Sequence, residues 1–246
     1  MKRLRKAVQR HRPVVWVVGA SRGIGREIAK QFASIGADVC LSGRNARELE
    51  SAVKEITAAG GRAHAFPCNI SYPRSVLATV VRIQNRVGNI DVLVNNAGVS
   101  VFKSFLETSL TEFHQIIATN LEGQITCLKA VLPSMARRKK GWVINIHSTA
   151  AVATFTGSAA YTATKAGMHA LSKVLREEMR PYGIKIVNVL PGATDTAMWS
   201  AEDRKRFARR MMTAKSVAES VLAAYQMPHD LVVEELVVRP RQGDIG

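Results

Sequence analysis

A strand, a glycine turn and a helix follow one another near the start of the chain, and this succession constrains the fold most. The apolar run 14–18 leads into GASRGIG and then into REIAKQFASIGA. Gly19 permits a tight turn, Gly23 lets the backbone approach a pyrophosphate, and Gly25 allows close packing of helix on strand. The helix N-terminus adds N–H donors and a positive dipole. The pattern therefore predicts a phosphate-binding turn.

Strand-like apolar runs alternate with longer helical segments along the rest of the chain. This alternation predicts a parallel sheet. We expect one doubly wound, Rossmann-like α/β domain, with helices on both faces and a ligand crevice at the carboxyl ends of the strands. The predicted strands are 14–18, 39–41, 63–66, 92–94, 143–146, 184–190 and 235–238.

A second motif, GSAAYTATKAG, places Tyr161 four residues before Lys165, with Ser148 upstream. In a helix this spacing puts both side chains on one face, where an ammonium group favours the phenolate form of tyrosine. An ordinary phenol, with a pKa of about 10, is almost fully protonated at neutral pH. The pair therefore predicts a tyrosine tuned for proton transfer, although a Tyr and Lys pair at this spacing is by itself commonly a surface pair.

These motifs, together with NNAG at 95–98, TNLEG at 119–123 and NVLPG at 188–192, resemble the short-chain dehydrogenase/reductase family over nearly the whole chain. The resemblance implies hydride transfer between a nicotinamide and a carbonyl or secondary alcohol. It assigns Tyr161 as general acid/base and Ser148 as the hydrogen-bond partner of the carbonyl oxygen. Lys165 is expected to hold the nicotinamide ribose and to lower the pKa of Tyr161. Asn120 is expected to position a water that links Lys165 to solvent.

The same resemblance implies a cofactor-binding surface. Thr196 and the turn at 189–192 are expected to fix the carboxamide, while Asn69 accepts from the adenine amine through its side-chain carbonyl and Ile70 offers a backbone donor. The residues expected to contact the cofactor are Gly19, Ser21, Arg22, Gly23, Ile24, Gly25, Arg44, Asn45, Asn69, Ile70, Asn96, Ala97, Gly98, Tyr161, Lys165, Pro191, Gly192, Thr194 and Thr196.

Charge at the end of the second predicted strand indicates which nicotinamide cofactor is bound. Gly43 stands where NAD-preferring members of the family tend to carry Asp, Arg44 follows it, and Arg22 lies in the glycine turn. Two guanidinium groups suit a 2′-phosphate, which favours NADP(H). In the alternative interpretation both arginines are simply solvated.

The segment 197–216 falls where the family has its variable substrate loop, and we expect it to form a lid. Met198 and Trp199, with Ser148, are expected to contact the substrate. The segment is also rich in arginine, which suggests an acyl group carried on an acidic protein or coenzyme A. The alternative is a lid helix with a solvated basic face.

The formal net charge of +16 raises other functional classes. Part of it lies in a basic tail at 1–13, which precedes the expected catalytic domain at 14–246. A nucleic-acid-associated protein would rest on this charge alone, because no recognition-helix or zinc-finger pattern accompanies it. A protein that binds NADP(H) as a sensor or scaffold is the other alternative.

Further expectations concern metals, location and assembly. Three widely spaced cysteines argue against a disulfide framework and favour a reducing cytoplasm, and no apolar run approaches the roughly 20 residues of a membrane span. The six histidines show no close ligand spacing, so we expect no catalytic metal. His147 is expected to point away from Ser148 and to have a packing or surface role. The family resemblance implies a homodimer or homotetramer built on the helices that contain Asn120 and Tyr161.

Overall fold

A seven-stranded parallel sheet forms the centre of the protein. The computed structural model describes residues 12–245. The sheet order is β3-β2-β1-β4-β5-β6-β9, and a separate pair joins β7 to β8. The strands are β1 (Val14–Val18), β2 (Asp38–Ser42), β3 (Arg62–Ala65), β4 (Val92–Asn95), β5 (Gly141–Ile146), β6 (Ile184–Pro191), β7 (Thr194–Asp195), β8 (Met212–Thr213) and β9 (Glu235–Val238).

The predicted doubly wound α/β fold and its seven strands are confirmed. The first and last strands have the predicted bounds, and the others differ by one or two residues at an end. The reason for the close agreement is burial: the residues of β1, β2 and β4 are buried without exception, so their apolar runs are continuous.

Helices cover both faces of the sheet. Side chains from α1, α2 and α8 pack on one face, and side chains from α3, α5 and α6 pack on the other. The helices are α1 (Gly23–Ser34), α2 (Ala46–Ala58), α3 (Pro73–Arg86), α4 (Leu110–Ile117), α5 (Gln124–Arg138), α6 (Ala159–Met179), α7 (Ala201–Phe207) and α8 (Ala214–Tyr225). None of the helices in the described range is long and apolar enough to cross a membrane.

The direction of winding reverses between β1 and β4. From β1 the chain adds β2 and β3 on one side, and it then returns to add β4, β5 and β6 on the other. Because every strand in this sheet is parallel, the loops after β1 and β4 leave the same edge side by side. A crevice opens at such a switch point. The expected lid at 197–216 contains α7 and β8, whereas the expected basic tail lies outside the described residues except for positions 12 and 13.

The turn after β1 leaves no room for a side chain at Gly19 or Gly25. Gly19 has φ +81°, and a Cβ at this position would lie 2.7 Å from the Cα of Ala97. A Cβ on Gly25 would overlap the carbonyl oxygen of Gly19 and lie 2.5 Å from Asn96 Nδ2. The Asn96 amide donates to that same carbonyl at 2.9 Å. The loops after β1 and β4 are therefore fixed to each other.

We expect Gly25→Ala to lower the free energy of unfolding by about 2 kcal/mol, because the added methyl group meets backbone rather than a movable side chain. Urea denaturation measures the change. Gly167→Ala is the matched control: this glycine lies inside α6 with its nearest outside atom at 3.8 Å, so alanine there should stabilise the helix slightly. Equal stability of Gly25→Ala and the unsubstituted protein would contradict the packing argument.

Candidate active site

A cavity of about 330 Å³ lies over the glycine turn at the carboxyl ends of β1, β2 and β4. The N-terminus of α1 faces it, and the N-cap residue Arg22 makes no side-chain capping bond there. Free helix N–H groups of this kind bind phosphate. The predicted cofactor residues that line this cavity are Gly19, Ser21, Arg22, Gly23, Ile24, Arg44, Asn69, Ile70, Asn96, Ala97, Gly98 and Thr196.

Both arginines of the cofactor prediction line this cavity, and both are exposed. Within residues 12–245 neither Arg22 nor Arg44 has an acidic partner. Between them, a Cβ on Gly43 would lie 3.5 Å from the side chain of Ser21. The cavity is thus lined by two guanidinium groups without an acidic partner, Arg22 after β1 and Arg44 after β2, and residue 43 is not acidic. Guanidinium groups are suited to binding a 2′-phosphate.

Two of the predicted cofactor residues have local structural roles instead. Asn45 caps α2 by accepting a hydrogen bond from Glu48 N at 3.3 Å, and it does not line the cavity. Asn69 lines the cavity, but its side-chain carbonyl accepts from Ser71 N at 3.1 Å. The expected contact of that carbonyl with the adenine amine therefore competes with a turn inside the protein. Gly25 lies beneath the turn, where it permits packing.

A second cavity, of about 490 Å³, adjoins the first and contains the predicted catalytic residues. Ser148 follows β5, and Tyr161 and Lys165 lie one turn apart on α6. Pro191, Gly192 and Thr194 also line this second cavity, at and just after the end of β6. The residues that line both cavities are Ile24, Asn96, Gly98, Thr196 and Met198. The two cavities are therefore halves of one continuous crevice.

Asn120 lies in a π-helical stretch at 118–123, between α4 and α5, and its side chain is fully engaged. Its Oδ1 accepts from Val99 N at 2.8 Å, while its Nδ2 donates to Val99 O at 2.8 Å and to Thr164 Oγ1 at 3.3 Å. It thereby ties the loop after β4 to α6 beside Lys165. The water that the sequence analysis places here stays a prediction.

Burial is the main influence on the pKa values of Tyr161 and Lys165. The Lys165 ammonium donates to the Ile146 carbonyl at 2.9 Å and lies 5.7 Å from the centroid of the Tyr161 ring. Burial lowers the pKa of Lys165 to about 8. Burial also raises the pKa of Tyr161 to about 12, partly offset by a hydrogen bond with Ser148. The expected lowering of the Tyr161 pKa by the Lys165 charge stays a prediction, because burial and the Ser148 hydrogen bond are the causes that act on the phenol here.

A pair of buried histidines lies behind the catalytic residues. His147 Nε2 is 3.0 Å from Asn188 Oδ1, and its ring meets that of His169 edge to face at 5.5 Å. His169 Nε2 in turn contacts Glu235 Oε1 at 2.7 Å. Burial, with smaller contributions from the charges of Lys165 and His169, lowers the pKa of His147 to about 3, so its ring is neutral at pH 7. His147 also lines the second cavity, and its Nδ1 is buried without a hydrogen-bond partner among the described residues, so the packing role that strand alternation indicates stays a prediction.

The sequence profile of the family described as short chain dehydrogenase matches residues 13–206. This chain belongs to that family. A sepiapterin reductase of Chlorobaculum tepidum is 34% identical over 239 residues, which cover 94% of this chain and 98% of that protein. The family resemblance in the sequence is thus confirmed.

Solved structures of short-chain dehydrogenases share the fold. A metagenomic short-chain oxidoreductase in complex with NADP is 33% identical, has a TM-score of 0.82, and covers 93% of this chain and 96% of its own. An actinorhodin polyketide ketoreductase variant with NADPH is 28% identical, has a TM-score of 0.88, and covers 95% of this chain and 98% of its own. Both relatives were crystallised with a phosphorylated nicotinamide cofactor.

The substrate half of this short-chain dehydrogenase site includes residues that the sequence analysis did not identify. Met198 and Trp199 line the second cavity, as predicted. Phe102, Asp244 and Ile245, which were not predicted, line it as well. Phe102 follows the NNAG motif by four residues, in a loop without periodicity, and the other two lie at the opposite end of the chain. Only the folded arrangement brings these three segments together.

No metal centre is evident in the described part of the chain. No group of three or more His, Cys, Asp or Glu side chains there is placed to hold an ion. The cysteines at positions 40, 68 and 127 are free and buried.

We expect the phenol of Tyr161 to remain protonated below about pH 10 in the folded protein, because burial raises its pKa to about 12. The phenolate absorbance of the protein minus that of Tyr161→Phe, recorded from neutral to alkaline pH, measures this. Circular dichroism over the same range verifies that both proteins stay folded. A difference signal that develops between about pH 7 and 9 would show instead that the Lys165 charge dominates.

Proposed function

We propose that the protein is an NADP(H)-dependent oxidoreductase that interconverts a carbonyl compound and a secondary alcohol, with Tyr161 as the general acid/base. The observation that carries the proposal is the continuity of the two cavities. A phosphate-binding turn and the Ser148, Tyr161 and Lys165 side chains open into one crevice, with Thr196 in the wall of both halves. A nucleotide and a small carbonyl compound thus fit side by side.

The residues present suit a phosphorylated nicotinamide cofactor. The N–H groups at the start of α1 would hold the pyrophosphate, and Arg22 and Arg44 would hold the 2′-phosphate. Thr196 and the turn that contains Gly192 would orient the nicotinamide end. Once bound, this cofactor supplies or accepts the hydride. The relatives solved with NADP and NADPH support the assignment.

Side chains of the second cavity would bind the substrate oxygen and transfer the proton to it. A substrate carbonyl oxygen placed between Ser148 and Tyr161 would accept a hydrogen bond from the serine and a proton from the phenol as it becomes an alkoxide. Burial raises the pKa of Tyr161, so at neutral pH the phenol carries the proton that carbonyl reduction needs. The reductase names of two relatives agree with this direction.

The domain organisation and assembly follow from the same proposal. We infer a catalytic domain at 14–246 with a lid at 197–216, acting in the cytoplasm as a homodimer or homotetramer. Met198 and Trp199, at the start of the lid, line the cavity that contains Tyr161, so the lid would contact the substrate through them.

We expect Tyr161→Phe to lower kcat for NADPH-dependent ketone reduction by about 100-fold or more, because the variant keeps the ring but has no proton to give. Ketone-dependent loss of NADPH absorbance measures kcat. NADPH binding, followed by fluorescence, should be unchanged, since the cofactor half of the crevice is intact. Tyr72→Phe is the control, since Tyr72 is an exposed tyrosine outside both cavities. Tight NADPH binding without turnover by the unsubstituted protein would favour the sensor or scaffold alternative.

We expect Arg44→Ser to weaken NADPH binding by about 10- to 100-fold while leaving NADH binding unchanged, because only NADPH carries the 2′-phosphate. Dissociation constants for both cofactors, from fluorescence titration, give the comparison. Arg47→Ser removes the same charge from an exposed position on α2 that does not line the cavity, so it should alter neither constant. Equal weakening of NADH and NADPH would contradict the role of Arg44.

A further inference from the structure

A row of aromatic rings extends from the catalytic phenol across the second cavity. The ring centroid of Phe102 lies 6.3 Å from that of Tyr161. Trp199 stacks on Phe102 with centroids 5.7 Å apart and planes inclined by 23°. Phe102 comes from the loop after β4 and Trp199 from the segment after β7, so two loops distant in sequence meet here. Such a surface favours a flat ring over an aliphatic chain of equal size.

Acidic side chains outnumber basic ones in the lining of this cavity, unlike in the protein as a whole. Asp203 and Asp244 line it, and among its described lining residues Lys165 is the one Lys or Arg side chain. Lys165 is buried and directed at the Ile146 carbonyl, as part of the catalytic set. Beyond the catalytic residues, the substrate therefore meets two carboxylates and no guanidinium group.

Three of the basic residues of the lid make contacts with other groups of the protein. Arg204 Nε donates to Asp195 Oδ1 at 2.6 Å, and Arg210 Nη2 donates to the backbone carbonyl of Asp244 at 3.2 Å. The Arg206 guanidinium lies 5.0 Å from the centroid of an adjacent phenylalanine ring. None of the three lines the second cavity. The basic composition of the lid is thus no evidence for an anionic group inside the site.

Asp244 has few protein donors for its carboxylate. Its Oδ2 lies 3.5 Å from Arg239 Nε, and its Oδ1 is buried without a hydrogen-bond partner among residues 12–245. A Cβ on Gly192 would overlap this Oδ1, so the carboxylate packs directly on the turn after β6. The neighbouring Ile245 is buried and lines the same cavity. A carboxylate held this way gains from any N–H or ammonium group that a ligand brings.

We propose that the second cavity selects flat aromatic ketones that carry an ammonium or N–H donor group. The ring would lie against Phe102 and Trp199, and the donor group would pair with Asp244. This inference rests on the proposed function, because it names the substrate class of the same site. It also assigns Asp244, Phe102 and Trp199 as specificity-determining residues, two of which the sequence does not mark.

The test compares three acetophenones of similar shape: para-aminomethyl, para-ethyl and para-carboxymethyl acetophenone. With NADPH, we expect kcat/KM to be highest for the ammonium compound and to exceed that of the carboxylate by about tenfold or more, mainly through KM. Asp244→Asn should reduce this ratio to about one. Asp230→Asn, which removes an exposed carboxylate outside the cavity, should leave it unchanged.

Calorimetric binding of the same three ketones to the protein with NADP+ gives an order of affinities that does not depend on turnover. Preference for the carboxylate, or a preference for the ammonium compound that Asp244→Asn does not change, would overturn the proposal even if all three ketones are reduced. Conversely, Asp244-dependent binding of the ammonium compound without reduction would contradict the proposed function and leave the selectivity in place.

The aromatic part of the proposal is tested with acetophenone and cyclohexyl methyl ketone, which differ in the flatness of the ring. We expect Trp199→Leu to lose most of the preference for acetophenone, seen as a rise in its KM, while KM for the cyclohexyl compound changes little. Phe105→Leu is the control, because this aromatic residue of the same loop region is exposed and outside the cavity. An unchanged preference in Trp199→Leu would overturn the role of the stacked pair.

Discussion

The close approach of the loops after β1 and β4 is the constraint on which the rest of the site depends. The Asn96 amide bonds the Gly19 carbonyl, and the space that a side chain on Gly25 would need is occupied by those two groups. Because the two loops are close, the N-terminus of α1 faces the crevice. The loop after β4 forms another part of the crevice wall. Gly98, two residues after Asn96, lies close to Lys165. A Cβ on Gly98 would be 3.7 Å from the Lys165 ammonium nitrogen. Backbone packing thus fixes the position of the glycine turn relative to Lys165.

Buried amides carry this alignment from the sheet to the catalytic helix. Asn95 Nδ2 donates to Asn145 Oδ1 across the paired strands β4 and β5 at 3.2 Å, and Asn145 Nδ2 donates to Ser172 Oγ on α6 at 3.0 Å. All three residues are buried. Asn95 Oδ1 has no hydrogen-bond partner among residues 12–245, but the bonds that these amides make favour one register of β4 against β5 and one position of α6. Tyr161 on that helix is thereby fixed opposite Ser148, which follows β5.

The parts of the site that sequence reasoning predicts are those encoded locally. The glycine turn and the Tyr161 and Lys165 pair each lie within one short segment, and continuous apolar runs mark strands buried on both faces. Contacts between distant segments leave no such pattern, which is why Phe102 and Asp244 were not identified. Asn45 shows a competing use for a polar residue in the expected region, because its side chain caps a helix. The burial that raises the pKa of Tyr161 has no signal in the sequence, because spacing on a helix reports proximity of charge but not loss of water.

Burial itself has a chemical consequence for the catalytic pair. Excluding water raises the pKa of Tyr161 and lowers that of Lys165, and both shifts disfavour a phenolate beside an ammonium group. The same surroundings that close the cavity, including the ring of Phe102 over the phenol, therefore keep the proton on Tyr161. In alcohol oxidation, Tyr161 could accept the alcohol's proton only after the phenol had lost its own proton. In carbonyl reduction, the protonated phenol can donate directly to the carbonyl oxygen. In the proposed reaction the phenol thus starts in the protonated form that carbonyl reduction requires.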